Sequence, residues 1–242
     1  MLRNYWTEYF YPYFVQLINF LFKNMTYVSS VRIQKQLWLG FIIATLYLNS
    51  ASISYDGQKA VNYALTYCCN PNTNSYPFID DDDCTDFASQ VLQSGGIPQS
   101  DDWWCVSLPL WNPCLDILGH HKTADYKNCY GNYAFSPAWS AVGDLYNYLI
   151  NNNLATDCSL EQLQPGDLIQ YYHPGKQVWE HTTVVIYSNP TNPILAYHSN
   201  NRCDSNHTYV LGSGFSSYRG ICINSHVQST QRRFVTGNSG CN

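Results

Sequence analysis

Three side chains in this chain could together run nucleophilic chemistry: those of Cys84, His181 and His198. Cys84 falls within Asp83-Cys84-Thr85-Asp86-Phe87-Ala88-Ser89-Gln90, where Asp82 or Asp83 can cap a helix and Phe87, Ala88, Val91 and Leu92 share an apolar stripe. Gly95-Gly96 stops that helix. A cysteine in a first turn meets unpaired backbone N–H groups and the positive end of the helix dipole, both of which favour thiolate over thiol. The competing reading is a disulfide cysteine beside a solvated acidic loop. The carboxylates of Asp80 to Asp83 oppose ionisation of the sulfur, and an imidazolium partner has to outweigh them.

The histidines come from two strands of one hairpin. His181 opens the apolar run through Tyr187, and His198 closes the run that begins at Asn192. If residues 188–191 form a four-residue loop, antiparallel register sets His181 opposite His198 with Cβ atoms about 5 Å apart. A one-residue change in register breaks that pairing. In the paired arrangement Cys84 attacks a carbonyl carbon, His181 takes up and returns the proton, and His198 orients the imidazole. The backbone N–H of Cys84 helps to hold the oxyanion, a role worth about 3 kcal/mol.

Positioning these residues takes a helical N-terminal half and a strand-rich C-terminal half. Asp56 can cap a helix whose apolar face is Ala60, Val61, Ala64, Leu65 and Cys68, and Asn70-Pro71 ends it. Ser136-Pro137 opens another helix, with Trp139, Val142, Leu145, Leu149 and Ile150 inward. Pro165-Gly166 turns the chain into a strand over 167–172, and the tail pieces 208–211 and 221–223 read as further strands. The expectation is an α+β fold, helices packed on an antiparallel sheet. Residues 97–133 read as a disulfide-stapled insertion, and Trp103 and Trp104 within it serve either as a substrate wall or as core. His120-His121 in the same stretch reads as a surface pair.

At 242 residues the chain can hold one domain with a substantial core. Charged residues make up only 12% and aromatics 16%, which excludes a disordered chain. A net charge of −5 without a basic run argues against nucleic acid as a partner. Ten cysteines, with no CxxC pair among them, fit an oxidising compartment better than structural zinc. If Cys84 is a free thiol, nine remain, so a second cysteine must be unpaired or bonded to another chain. Residues 32–52 read as a secretory signal, a basic flank before a short apolar core and small residues at 50–52. The expected division is therefore 1–52 as extension plus signal and 53–242 as the domain; a membrane anchor built from both apolar leader segments is the alternative. Asn206-His207-Thr208 is a glycosylation acceptor in a secreted chain.

The Cys84 motif with Gly95-Gly96, then Trp139, Leu145 and Tyr148-Leu149, then Gly166-Asp167-Leu168-Ile169-Gln170, then Trp179-Glu180-His181-Thr182-Thr183-Val184-Val185, resemble in order the motifs of the amidase-domain family. That family is similar to papain-like cysteine amidases and peptidases, akin to the CHAP and NlpC-type cell-wall hydrolases. The resemblance covers about Tyr55 to Arg202 and implies a papain-like fold with Cys84 and His181 as the catalytic pair. It places the third polar residue on the next strand, at His198 or Asn200. The tryptophan-rich insertion and most of the cysteines lie outside the family pattern, so substrate preference does not carry over.

The function expected is a secreted or lumenal cysteine hydrolase, monomeric and cofactor-free, that cleaves an amide bond in peptidoglycan or bacterial peptides. Asp83, Trp103, Trp104, Trp179 and Asn200 are the candidate substrate contacts. A non-catalytic extracellular module that holds glycan or peptide on the same fold is the rival, and a zinc hydrolase using Cys84, His181 and His198 is a third reading.

Overall fold

The computed structural model describes residues 54–107, 129–130, 132–224 and 241. The chain divides into two units, Met1–Ser52 and Ile53–Asn242, and the described residues belong to the second. The signal and anchor readings of the leader therefore lie outside them, as do Trp111, Cys114 and His120-His121. No helix among the described residues is long and apolar enough to cross a membrane.

Helix α1 spans Gly57–Tyr67 and is capped by Asp56, whose carboxylate accepts from the backbone of Gln58 and Lys59 at 3.0 Å each. Helix α2, Cys84–Gly95, ends at Gly96, which takes φ +115. Gly95 lies under Tyr55, and a Cβ added there would run into that ring. Helix α3, Pro137–Ser140, breaks at Ala141 before α4, Val142–Asn151. Ala60, Val61 and Ala64 of α1, Phe87, Ala88, Val91 and Leu92 of α2, and Leu145 and Leu149 of α4 are fully buried in one core.

A small sheet joins β1 (Cys105–Ser107), β2 (Cys129–Tyr130) and β3 (Tyr133–Phe135). The main sheet contains β4 (Ala155–Cys158), β5 (Leu168–His173), β6 (Val178–Tyr187), β7 (Ile194–Tyr197), β8 (Arg202–Asn206) and β9 (Ser217–Ile223), in the order β4-β9-β5-β6-β7-β8. Its strand pairs are all antiparallel. The fold is thus α+β, with α1 to α4 on one face of an antiparallel sheet. Leu168, Val184, Ala196 and Ile221 point into the helical core. Ile169, Tyr171, Val185, Leu195 and Tyr197 point the other way, into a second cluster with Val210 and Phe215.

Residues 208–211, expected as strand, are helical instead: α5 spans His207–Gly212, because the Asn206 side chain accepts from the backbone of Tyr209 and starts a helix. Asn206, the expected glycan acceptor, is thereby engaged as a cap. Disulfides join Cys68 to Cys203, Cys69 to Cys241 and Cys158 to Cys222. Cys129 is also disulfide-bonded, and among the described residues Cys84 and Cys105 are free.

Candidate active site

Cys84 opens α2, and its neighbour Asp83 occupies the cap position without capping. The Asp83 carboxyl is spent elsewhere: one oxygen accepts from the backbone of Ile79 at 2.8 Å and the other meets Nδ1 of His198 at 2.5 Å. The second ring nitrogen of His198 donates to the Tyr67 carbonyl at 2.9 Å. Phe87 stacks on the ring with centroids 4.0 Å apart. Asp83 and His198 are both fully buried. Asp83, expected at the substrate, cannot reach one; it fastens the end of β7 to the start of α2.

The Cys84 sulfur lies where β6 and β7 diverge. It donates to the Glu180 carbonyl at 3.8 Å, receives the Thr182 backbone N–H, and touches the Thr85 hydroxyl at 3.7 Å. Burial pushes the thiol's pKa up, the nearby Asp83 charge adds to the rise, and the Thr182, Thr85 and Ser199 contacts oppose it. Below the sulfur a polar chain crosses the sheet. Thr85 and Thr182 hydroxyls meet at 3.0 Å, Gln170 donates to Thr182 at 3.3 Å and to the Val142 carbonyl at 2.8 Å, and Arg219 donates twice to Gln170. Arg219 is held over the rings of Tyr146 and Trp179 at 3.4 and 4.2 Å from their centroids.

A cavity of about 440 Å³ opens on the sulfur, walled by Cys84, Asp82, Tyr130, Phe135, Trp179 and Glu180. Lys176 pairs with one Glu180 oxygen, while the other is buried without a partner. A neighbouring hollow of about 320 Å³ is lined by Phe78, Asp80, Asp81, Ser199, Asn200 and Asn201. Trp179 and Asn200 therefore border open space. Trp103 does not: it is fully buried, donates to Ser89 at 3.1 Å and packs on Trp139 and Tyr148, so it is core and not substrate wall. Trp104 is half-buried, and its backbone bonds Ser136.

The expected pairing of His181 with His198 does not form. Val184 pairs with Ala196 and Val185 with Leu195, one residue out of the expected register, and the ladder is further shifted at Tyr187 and Ile194. The loop 188–193 is longer than assumed because Asn189 folds back to accept from Thr191 and Asn192. By the alternation of a strand, Thr182 shares the Val184 face with the helices, and His181 takes the opposite one. The His181 ring lies among Phe215, Tyr197 and Tyr171, with Phe215 stacked at 5.8 Å. Burial there lowers its pKa to about 4. Cys84 and His181 therefore do not form a preset pair. A zinc centre from Cys84, His181 and His198 has no basis either, since the three do not converge.

Thr85, Thr182, Gln170, Arg219 and Ser199 also surround the sulfur or support it, and none of them stood out in the sequence as a site residue. The signal for the first four was the run of polar residues at strand and helix positions that the register turns inward. Asp86, Ser89 and Gln90 of the cysteine motif are buried too: Asp86 accepts from Trp139 and Gln90, Ser89 donates to the Trp139 carbonyl at 2.7 Å, and Gln90 accepts from Tyr63 at 2.7 Å. These bonds tie α2 to α1 and α3.

A free cysteine at a helix start therefore borders a cavity, over an antiparallel sheet backed by helices. Residues 54–221 match the family described as "Putative amidase domain", and the chain belongs to it. The chain is also similar to two Bacillus subtilis (strain 168) proteins. It is 28% identical to uncharacterized protein YjcM over 163 residues, covering 64% of this chain and 34% of that protein. It is 26% identical to uncharacterized protein YhbB over 145 residues, covering 56% and 38% respectively. The chain thus spans little more than a third of the curated relatives it matches. No solved structure matches it.

Proposed function

We propose that this chain is a papain-like cysteine amidase that acts outside the cytosol on amide bonds of peptidoglycan or bacterial peptides, with Cys84 as nucleophile. The observation that carries this reading is the state and place of one sulfur: in a disulfide-rich chain Cys84 is unbridged, begins a helix and borders the cavity. The Cys84 backbone N–H at the helix start serves the oxyanion. Trp179 and Tyr130 supply apolar surface for a peptide.

Proton transfer is assigned to His181, since both His198 nitrogens are committed. The backbone of residues 180–182 already flanks the sulfur. Glu180 is the extra residue of a bulge on β6, because Tyr171 pairs with His181 while Tyr172 pairs with Trp179. Moving that bulge one position carries the His181 ring across the sheet. The arrangement described is, in this reading, the resting one. His198 holds the α2 start in place.

The test is incubation of purified protein with peptidoglycan, scoring new amine or peptide termini. Turnover that disappears in Cys84→Ala and His181→Ala supports the assignment. Cleavage of a general cysteine-protease substrate with peptidoglycan left intact moves the substrate to peptides.

A second reading is favoured by the protonated, imidazole-free sulfur: a binding module that holds glycan or peptide without cleaving it. It predicts that Cys84→Ala binds peptidoglycan as the wild type does and that neither releases new termini.

A further inference from the structure

The turn between β7 and β8 contains two non-glycine residues in the left-handed region, Ser199 at φ +77 and Asn201 at φ +23. Asparagine tolerates that region; serine is held there against its backbone preference. The residue before it cannot relax the turn, because the His198 ring is bound at both nitrogens. The conformation turns the Ser199 side chain inward. Its oxygen is buried and reaches no hydrogen-bond partner at ordinary geometry. It lies against the Cys84 sulfur. On its outer side Ser199 borders the 320 Å³ hollow, while Cys84 borders the 440 Å³ cavity, so the two residues stand where the two spaces approach one another.

A buried hydroxyl with only a neutral thiol in reach gains little unless a stronger acceptor appears in another state of the molecule. A neutral thiol is a weak acceptor, whereas a thiolate is a strong one and gains from charge-assisted donors. The other groups facing the sulfur are unequal to the task. The Glu180 carbonyl can only accept, and it has nothing to receive once the proton leaves. The Asp83, Asp82 and Glu180 carboxyls, the acidic groups nearest the sulfur or its cavity, repel a negative sulfur. The Thr182 N–H and the Thr85 and Ser199 hydroxyls are the donors available. Thr85 already exchanges a bond with Thr182. Ser199 is the uncommitted one.

We propose that Ser199 is a positioning residue for the Cys84 sulfur, held in a left-handed turn so that its hydroxyl donates to the thiolate as it forms. The inference deepens the cysteine-hydrolase reading and rests on it for its purpose, but its chemistry is read at the sulfur itself.

The test is the pH dependence of Cys84 alkylation by iodoacetamide, followed by mass mapping, in the wild type, Ser199→Ala, Ser199→Gly and Ser199→Thr. Cys105, the other free cysteine among the described residues, serves as internal control. Both hydroxyl-free variants move the Cys84 profile about one pH unit upward, roughly a tenfold loss of rate at fixed pH below the midpoint. Ser199→Thr retains most of the wild-type profile, and Cys105 does not change. Ser199→Gly relieves the turn and keeps its melting temperature, so loss of folding does not mimic the effect. Superimposable Cys84 profiles in wild type, Ser199→Ala and Ser199→Gly overturn the proposal, as does an equal change at Cys105. A shifted profile in a protein that turns over no amide upholds Ser199 and overturns the hydrolase reading instead.

Discussion

Asp83 and His198 stand 115 residues apart in the chain and meet side chain to side chain with neither exposed to solvent. Their contact joins the residue before the nucleophile to the end of β7, and the Tyr67 carbonyl extends it to the end of α1. Removing one member leaves the other buried and unpaired, which costs about 3 kcal/mol. Asp83→Ala and His198→Leu are each expected to lower urea stability by about that amount. A loss under about 1 kcal/mol in both would show that the pair is not a structural tie.

Acid should unfold the protein through His181. Its pKa is about 4 when folded against the ordinary 6.5, because burial among aromatic rings disfavours the charged ring. The unfolded chain therefore binds the proton first as pH falls. The stability tied to the neutral ring is present above pH 6.5 and is lost as pH falls toward 4, to a total of up to about 3 kcal/mol. His207, also lowered by burial, acts in the same direction. His181→Phe should flatten the acid limb of a melting-temperature profile while abolishing turnover. An unchanged acid limb would contradict the buried neutral ring.

Without substrate, Cys84 should behave as a sluggish thiol. Burial raises its pKa above the ordinary 9.0, so iodoacetamide should label it slowly at neutral pH and faster only in alkali. The matching effect on stability has the opposite sign to that of His181: the buried neutral thiol stabilises at neutral pH, and that contribution fades as pH climbs through the folded-state value. Fast labelling at pH 6 would mean an ionised sulfur at rest.

The polar chain under the sulfur can be cut at Thr182. Thr182→Val leaves the Thr85 hydroxyl and one Gln170 hydrogen without that partner in a buried space. The expected cost is about 2 kcal/mol, with a fall in turnover larger than any change in KM. Equal stability with full turnover would mean that the chain does not locate the sulfur.

Much of the helical half was legible because its signals are local. Asp56 as cap, Gly96 as stop and Ser136-Pro137 as start depend on neighbouring residues only. The α+β class and the strands of the 168–198 hairpin region also followed from alternation. What could not be read was parity. The longer loop after Tyr187 shifted the β6 to β7 register by one residue, and one residue decides which face His181 occupies. The roles of Asp83 and Trp103 were illegible for a similar reason: each is defined by a distant partner, His198 or Ser89, that no spacing reveals. In residues 208–211 the aromatic and β-branched composition suggested strand, and the Asn206 side chain prevailed.

Adjacent Cys68 and Cys69 send their sulfurs to different places, 135 and 172 residues downstream, and the Cys69 and Cys203 sulfurs of separate bridges lie only 3.0 Å apart. During synthesis both thiols emerge long before either correct mate, while Cys84 and Cys105 are within easy reach. Oxidative maturation thus runs against the order of translation: the double clasp is complete only after Cys241 arrives, and any earlier bond from Cys68 or Cys69 to a wrong mate must be undone. An oxidase alone should yield scrambled isomers, one of them with the nucleophile capped, and recovery of the native set should depend on a disulfide-shuffling catalyst.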